Sequence, residues 1–130
     1  MYEKIKIGDE FEDVTHEITL DMVKKYLEAI DEDLPVDNEG EVKADFIVPP
    51  TIISVFMKDA MNPIIMPGMV HAKQEFAFRD PMKINDTFTT STSVTDKFLK
   101  KERKWLILEM VTKNSSGEVA AISRASAIFP

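Results

Sequence analysis

The spacing of apolar residues changes near residue 70 of this 130-residue chain. Before that point apolar residues recur every three to four positions, as on one face of a helix, and after it they alternate with polar residues, as in a strand. The alternating segments are VHAKQEFAFR, TFTTSTSVT, WLILEMVTK and EVAAISRASAIF, and a turn at 114–117 separates the last two. Two helices followed by three or four long antiparallel strands predict an α+β domain with a helix packed on one sheet face.

The first predicted helix begins after Thr19, which suits an N-cap, and Asp21 lies in its first turn near the positive end of the helix dipole. Pro35 follows the helix end. One face is apolar, and it consists of Met22, Val23, Tyr26, Leu27 and Ile30.

The second predicted helix begins near Pro50, because proline fits a first helical position. Its apolar residues cover most of the helical circumference, which indicates a buried helix. They are Ile52, Ile53, Val55, Phe56, Met57, Ala60 and Met61.

The length and composition of the chain indicate one domain over residues 1–130. Hydrophobic residues make up 44% and charged residues 30%, and no apolar run approaches the roughly 20 residues that a membrane helix needs. The N-terminus has no apolar core of a secretory signal, and the chain has no cysteine, so we expect a cytoplasmic protein.

The net charge of −7 opposes binding to nucleic acid, because that binding depends on cations that neutralise phosphates. One basic run, 97–104, carries five positive charges and one Glu. It could dock a phosphorylated ligand, but a solvated hairpin connection is the favoured interpretation.

Three segments of the chain together resemble a known family. VPPTIISVF, HAKQEFAFRDPMKINDTF and NSSGEVAAISRASAIF are similar to segments in the hot-dog domains of MaoC-like enoyl-CoA hydratases and dehydratases, particularly their N-terminal type of half-domain. The resemblance covers about residues 5 to 129 in element order. It implies a curved antiparallel sheet around a long central helix, with two such halves pairing to form thioester-binding tunnels.

The same resemblance implies the ligand and the partners. The ligand would be an acyl-CoA or acyl-carrier thioester, with coenzyme A entering as part of the substrate and no separate cofactor. The assembly would be a homodimer or a heterodimer with another hot-dog subunit, which would cover an exposed sheet edge.

Active members of that family carry a signature like Tyr-Ala-x-x-[Ser/Thr]-[Gly/Glu]-Asp-x-Asn-Pro-x-His. If it is aligned on Pro35, Tyr26 matches the leading aromatic and Glu32 takes the place of the acidic catalyst. Leu34 replaces the Asn and Asp37 replaces the His. A carboxylic acid has an ordinary pKa near ~3.9 and needs strong burial to replace an imidazole. Glu32 and Asp37 are therefore candidate catalytic residues, but a solvated acidic loop is the favoured interpretation.

A second departure concerns the start of the central helix, where active members have Ile-Val-His-Gly-Met and this chain has Ile-Val-Pro-Pro-Thr at 47–51. In the family the glycine N–H helps to hold the thioester oxygen, and Pro50 has no N–H. One such donor is worth about 3 to 4 kcal/mol of barrier lowering. Thr51 N–H remains as a weaker substitute, so Pro50 and Thr51 are expected at the substrate.

Methionines near the central helix could line an adaptable acyl channel, because thioether side chains fill irregular apolar space. Met57 and Met61 are the predicted substrate contacts, with Met66 and Met69 nearby. Ordinary core packing is the alternative, and it applies equally to Trp105.

His71 is the third candidate catalytic residue, and Glu75 is predicted to share its strand face. A surface or interface histidine is favoured over a base. His16 has no pattern around it and receives no role.

Asn85 and Asp86 predict a tight turn. Asn tolerates left-handed backbone, and Asp86 is expected to bond to the backbone two residues on.

These departures lead to a hypothesis: the chain is a catalytically incomplete acyl-thioester-binding subunit. One alternative is an active hydratase that uses Glu32 or His71. Another is a thioesterase, in which Asp37, Asp59 or Glu75 activates water. The acids at 31–39 do not fit a calcium-binding loop, so no metal site is expected.

Overall fold

The computed structural model describes all 130 residues, and its main element is one five-stranded antiparallel sheet with strand order β1-β3-β4-β5-β2. The α+β prediction is confirmed, with four long strands after residue 70. The additional short strand β1 was not predicted. The strands are β1 (Val14–Glu17), β2 (Val70–Phe78), β3 (Thr87–Lys100), β4 (Arg103–Asn114) and β5 (Val119–Phe129). The α-helices are α1 (Leu20–Ala29) and α2 (Ser54–Met61), and short 3-10 helices span Tyr2–Lys4, Pro50–Ile53 and Asn62–Ile64.

Helix α1 begins as predicted, because the Thr19 hydroxyl accepts a hydrogen bond from the Met22 amide at 3.1 Å. Val23 and Leu27 are buried in a core cluster that includes Phe88 of the sheet. Ile30 at the helix end is 44% exposed. The buried face is therefore shorter than the apolar pattern suggested.

The central helical segment, residues 50–64, consists of a 3-10 turn, α2 and a second 3-10 turn, and it begins at Pro50 as predicted. The prediction of burial all round is wrong on one side, since Val55 is 46% exposed. The buried face consists of Ile52, Ile53, Phe56, Met57, Ala60, Met61 and Ile64. With α1 at 10 residues and α2 at 8, the helices are too short to span a bilayer.

The core has two apolar clusters that meet at α2, where Phe56 belongs to one cluster and Met57 to the other. Five buried hydroxyl side chains lie on the sheet, including Ser126 on β5. Four of them are at most 2% exposed, and we call these four the hydroxyl belt: Thr90, Thr92, Thr112 and Ser123. Thr90 and Thr112 are directly opposite in the register of β3 and β4, and their hydroxyl oxygens are 2.9 Å apart.

Three strands carry an extra residue that interrupts the regular pairing. The register shifts place Ala72 in β2, Thr95 in β3 and Ala120 in β5 as the additional residues. Such bulges bend a strand and change the direction of nearby side chains.

Two tight turns lie at the positions that the sequence analysis predicted. Asn114 accepts hydrogen bonds from two amides of the β4–β5 turn at 3.0 Å each. Asn85 has φ 77°, as expected for left-handed backbone. The predicted partner of Asp86 was wrong, because its carboxylate accepts from the Lys83 amide three residues back, at 3.0 Å.

The basic run forms the predicted hairpin connection between β3 and β4, with Lys101 and Glu102 at its tip in left-handed conformation. Two of its cations contact the N-terminus of the chain. Lys97 Nζ donates to the Ile5 carbonyl at 2.7 Å, and Lys104 Nζ lies 3.3 Å from a carboxylate oxygen of Glu3. Lys97 and Lys104 therefore hold the N-terminal segment against the β3–β4 hairpin.

Candidate functional site

A cavity of about 450 Å³ lies between the central helical segment, the loop that follows it and the edge strand β2. We call it the methionine pocket. It is lined by Ser54, Met57, Lys58, Met61, Ile65, Met66, Met69, His71, Gln74 and Phe76. Its size is within the roughly 300–1,000 Å³ typical of small-molecule sites.

The apolar wall of this pocket contains the four methionines that were predicted from the sequence to lie near an acyl channel. Met57 and Met61 are buried on α2, while Met66 and Met69 are half-buried in the loop before β2. Thioether side chains change rotamer at low cost, so such a wall can adapt to an apolar chain.

The polar wall of the pocket includes a hydrogen-bonded pair on β2. His71 Nε2 and Gln74 Oε1 are 2.9 Å apart, although residues three apart in a regular strand point to opposite faces. The extra residue Ala72 reverses the alternation and brings the two side chains together.

The predicted partner of His71 on its strand face was wrong. Glu75 lies opposite Arg124 of β5, which pairs with Glu109 at 3.4 Å, whereas His71 and Gln74 line the methionine pocket. The bulge places the histidine on the pocket side and leaves Glu75 on the other face.

The two expected substrate contacts at the helix start lie outside the methionine pocket. Pro50 lines a separate cavity of about 200 Å³ with Phe78. The Thr51 hydroxyl is hydrogen-bonded to the Tyr26 hydroxyl, which ties α1 to the central helical segment.

The acidic stretch after α1 forms the helix C-terminus. Asp31 has φ 57°, its amide donates to the Glu28 carbonyl at 3.1 Å, and the Glu32 amide donates to the Leu27 carbonyl at 2.9 Å. These two bonds are those of a Schellman motif. The Glu32 carboxylate is exposed and lies among other acids, not at the methionine pocket.

Asp37 also has a structural role, because its side chain stabilises a turn. One of its carboxylate oxygens accepts from the Glu39 amide at 2.8 Å and from the Glu41 amide at 3.0 Å. The side chain is exposed and is not part of the pocket lining.

The other histidine, to which we assigned no role from its sequence context, lies beside an acidic side chain. His16 of β1 stacks on Phe56 of α2, and its Nε2 is 3.4 Å from an Asp59 carboxylate oxygen. A lone histidine in a four-residue strand carries no periodic signal that could reveal this contact. Asp59, one of the possible water-activating acids, is therefore engaged on the β1 side of α2.

The chain contains no group of three or more His, Asp or Glu side chains placed to hold a metal ion. The ionisable side chains at the methionine pocket are Lys58 and His71.

Solved structures with the same fold cover nearly the whole chain. The (R)-hydratase from A. caviae involved in PHA biosynthesis has a TM-score of 0.78 and 15% identity, over 98% of this chain and 99% of that one. The C-terminally truncated HadBC (3R-hydroxyacyl-ACP dehydratase) complex from Mycobacterium tuberculosis has a TM-score of 0.79 and 14% identity, over 95% and 96%.

A third similar structure is the ChsH1–ChsH2 complex from Mycobacterium tuberculosis, with a TM-score of 0.73 and 14% identity over 96% of this chain and 98% of that one. At these identities the similarity establishes the fold, and it confirms the expected hot-dog architecture. A search of curated proteins finds no match.

A family model supplies the sequence relationship. Residues 6–122 match the model described as FAS1-like, dehydratase domain region. This matched range includes both α-helices and most of the sheet. This agrees with the resemblance to MaoC-like proteins. The chain therefore belongs to the FAS1-like dehydratase domain family and has the hot-dog fold of MaoC-like hydratases.

Proposed function

We propose that this chain binds the acyl group of an acyl-CoA or acyl-carrier thioester in its methionine pocket, as a catalytically incomplete subunit. The chemistry of the complete assembly would be hydration or dehydration between enoyl and (R)-3-hydroxyacyl thioesters. The observation that carries the proposal is the pocket itself, an adaptable apolar cavity beside the central helix of a dehydratase-family hot-dog domain.

The catalytic incompleteness is argued from the residues around the pocket. Hydration needs one group that takes a proton from water and another that protonates the substrate carbon. Glu32 and Asp37 stand at the signature positions but serve a helix end and a turn, outside the pocket. A partner subunit would supply the missing acid and base.

The partner would associate along β2. This strand is an edge of the sheet, and exposed apolar side chains lie on it and beside it, including Ile65, Val70 and Phe78 at 47%, 52% and 40% exposure. A second hot-dog strand would satisfy the unpaired backbone and cover these side chains. Two of the similar structures are complexes, HadBC and ChsH1–ChsH2, which supports a partner of the same fold.

Acyl-thioester binding is tested with two matched variants. Ile65→Glu places a charge in the pocket wall at a site that is already half exposed, and Val55→Glu places the same charge at 46% exposure outside the pocket lining. Titration calorimetry with octanoyl-CoA should show at least tenfold weaker binding for Ile65→Glu and unchanged binding for Val55→Glu. Equal effects of both variants would contradict the assignment of the pocket.

Catalytic incompleteness is tested separately by assaying the purified chain alone with crotonyl-CoA. We expect the chain to bind octanoyl-CoA but not to hydrate crotonyl-CoA at ordinary enzymatic rates. Rapid turnover would refute incompleteness and leave the binding assignment standing.

One observation favours a second candidate, an active hydratase with altered catalytic residues. His71 lines the pocket and is the one histidine there. Under this alternative, His71→Asn abolishes crotonyl-CoA hydration by the chain alone, whereas Glu32→Gln leaves it unchanged.

A further inference from the structure

The hydrogen bond between His71 and Gln74 fixes which nitrogen of the imidazole carries the proton. The Gln74 amide nitrogen donates to the Glu75 carbonyl at 3.2 Å, and its oxygen faces His71 Nε2 at 2.9 Å. A flipped amide would point its oxygen at the carbonyl of Glu75, so the observed orientation is the one that satisfies both neighbours.

The amide oxygen is an acceptor, and His71 Nε2 must therefore donate to it. In a neutral imidazole the other nitrogen, Nδ1, then carries a lone pair. Nδ1 makes no hydrogen bond within the chain, and the ring lines the methionine pocket. The imidazole thus adds a hydrogen-bond acceptor to a pocket lining that also contains the Ser54 hydroxyl and an apolar wall.

The ligand group that meets this acceptor must be a donor. The thioester carbonyl is excluded, since it has no proton to donate. A 3-hydroxyacyl thioester carries an O–H between its apolar chain and its thioester, and this donor is absent from enoyl and saturated thioesters. Pantetheine N–H groups are donors as well, but they are common to all CoA thioesters and would not distinguish among them.

We propose that His71 Nδ1 accepts a hydrogen bond from the 3-hydroxyl group of a bound 3-hydroxyacyl thioester, with Gln74 as a positioning residue that fixes the tautomer. The pair makes the chain selective for the hydrated thioester over its unsaturated or saturated counterpart. This inference rests on the proposed acyl-thioester binding and adds the specificity of that site.

The test compares the binding of (R)-3-hydroxybutyryl-CoA, crotonyl-CoA and butyryl-CoA by calorimetry at pH 8, where an ordinary imidazole is neutral. The wild-type chain should prefer the hydroxyacyl thioester by about three- to tenfold, as for one neutral hydrogen bond. His71→Phe should abolish this preference, because it should weaken the binding of the hydroxyacyl thioester more than that of crotonyl-CoA or butyryl-CoA. Gln74→Met should reduce it in part, because both tautomers become available. Glu75→Gln, on the opposite face, is the matched control and should retain it.

A second readout reports the tautomer directly. The ¹⁵N chemical shifts of His71 in the wild-type chain should show protonated Nε2 and unprotonated Nδ1, and Gln74→Met should shift them toward a mixture. A wild-type chain protonated on Nδ1, or a hydroxyl preference that survives in His71→Phe, would overturn the proposal. An equal loss of all three ligands in His71→Phe would assign His71 to pantetheine and also overturn it. Failure of the wild-type chain to bind any of the three would remove the proposed function as well, while the tautomer would still be measured.

Discussion

The imidazole of His16 lies flat against the phenyl ring of Phe56, with 4.5 Å between ring centroids and 4° between the ring planes. This contact joins the short edge strand β1 to the central helical segment. The carboxylate of Asp59, one turn further along α2, is 3.4 Å from the buried Nε2 of the same histidine. The ring stacking and the contact with the Asp59 carboxylate can be separated by substitution.

His16→Ala should lower the free energy of unfolding by about 1 to 2 kcal/mol, because the stacked pair and its buried area are lost. His16→Phe keeps a ring on Phe56 and should cost less. Asp59→Asn should cost less than about 1 kcal/mol, because the carboxylate is 59% exposed and exposed ion pairs contribute little. Urea denaturation of the three variants checks this order, and an Asp59→Asn loss as large as that of His16→Ala would contradict it.

Asp31→Gly should raise the free energy of unfolding by roughly 0.5 to 1 kcal/mol. Asp31 holds φ 57° at the end of α1, a conformation that costs less for glycine than for other residues. Asp33→Gly is the matched control, since Asp33 is an exposed acid of the same loop without positive φ, and it should not stabilise. Thermal unfolding followed by circular dichroism distinguishes the two, and equal shifts would argue against relief of backbone strain.

Thr90→Val should destabilise the chain by about 1 to 3 kcal/mol, because the buried Thr112 hydroxyl loses its partner. The double variant Thr90→Val/Thr112→Val should recover most of this loss, since neither side chain then leaves a polar group unpaired. A double-mutant cycle in urea measures the coupling. Additive losses would show that the hydroxyl pair contributes no coupling energy.

The environment of Tyr2 leads us to predict that the free energy of unfolding falls at high pH. Burial of its ring, and to a lesser extent the neighbouring Glu3 carboxylate, raises the pKa of Tyr2 above its ordinary value of 10.0. The hydroxyl lies 3.1 Å from the carbonyl oxygens of Phe98 and Trp105, and the phenolate could donate to neither.

Because the pKa is higher in the folded state, the stabilisation is complete below pH 10 and is lost as pH rises through the folded value. Unfolding midpoints in urea between pH 8 and pH 11 should fall more steeply for the wild-type chain than for Tyr2→Phe. Parallel curves would contradict this role of the hydroxyl.

The sequence predicted the fold well because its signals are local and strong. The N-cap at Thr19, the proline at the start of the central helical segment and the two-residue period of β3 and β4 act within a few residues, and each is present in the structure. Strand β1 escaped prediction because four residues give too short a pattern of alternation.

The candidate site was less predictable, because it depends on register. The four methionines converge as their spacing suggested, but the strand face of His71 is set by one extra residue in β2, at Ala72. A two-residue period cannot report where it is interrupted. The acids at Glu32 and Asp37 were found by alignment to a motif, whereas their roles in a helix end and a turn follow from backbone geometry.

The hydroxyl belt has a consequence for how the strands choose their alignment. Sliding β3 along β4 by two residues would keep every side chain on its correct face, so alternation alone does not distinguish the native arrangement from its neighbours. A slide that sets Thr90 against Met110 also sets Thr112 against Phe88, and both buried threonine hydroxyls then lose their polar partner. The opposite slide sets Thr90 against Asn114 and Thr112 against Thr92. The buried hydroxyl pair therefore disfavours one of the two neighbouring alignments, which hydrophobic burial alone would tolerate.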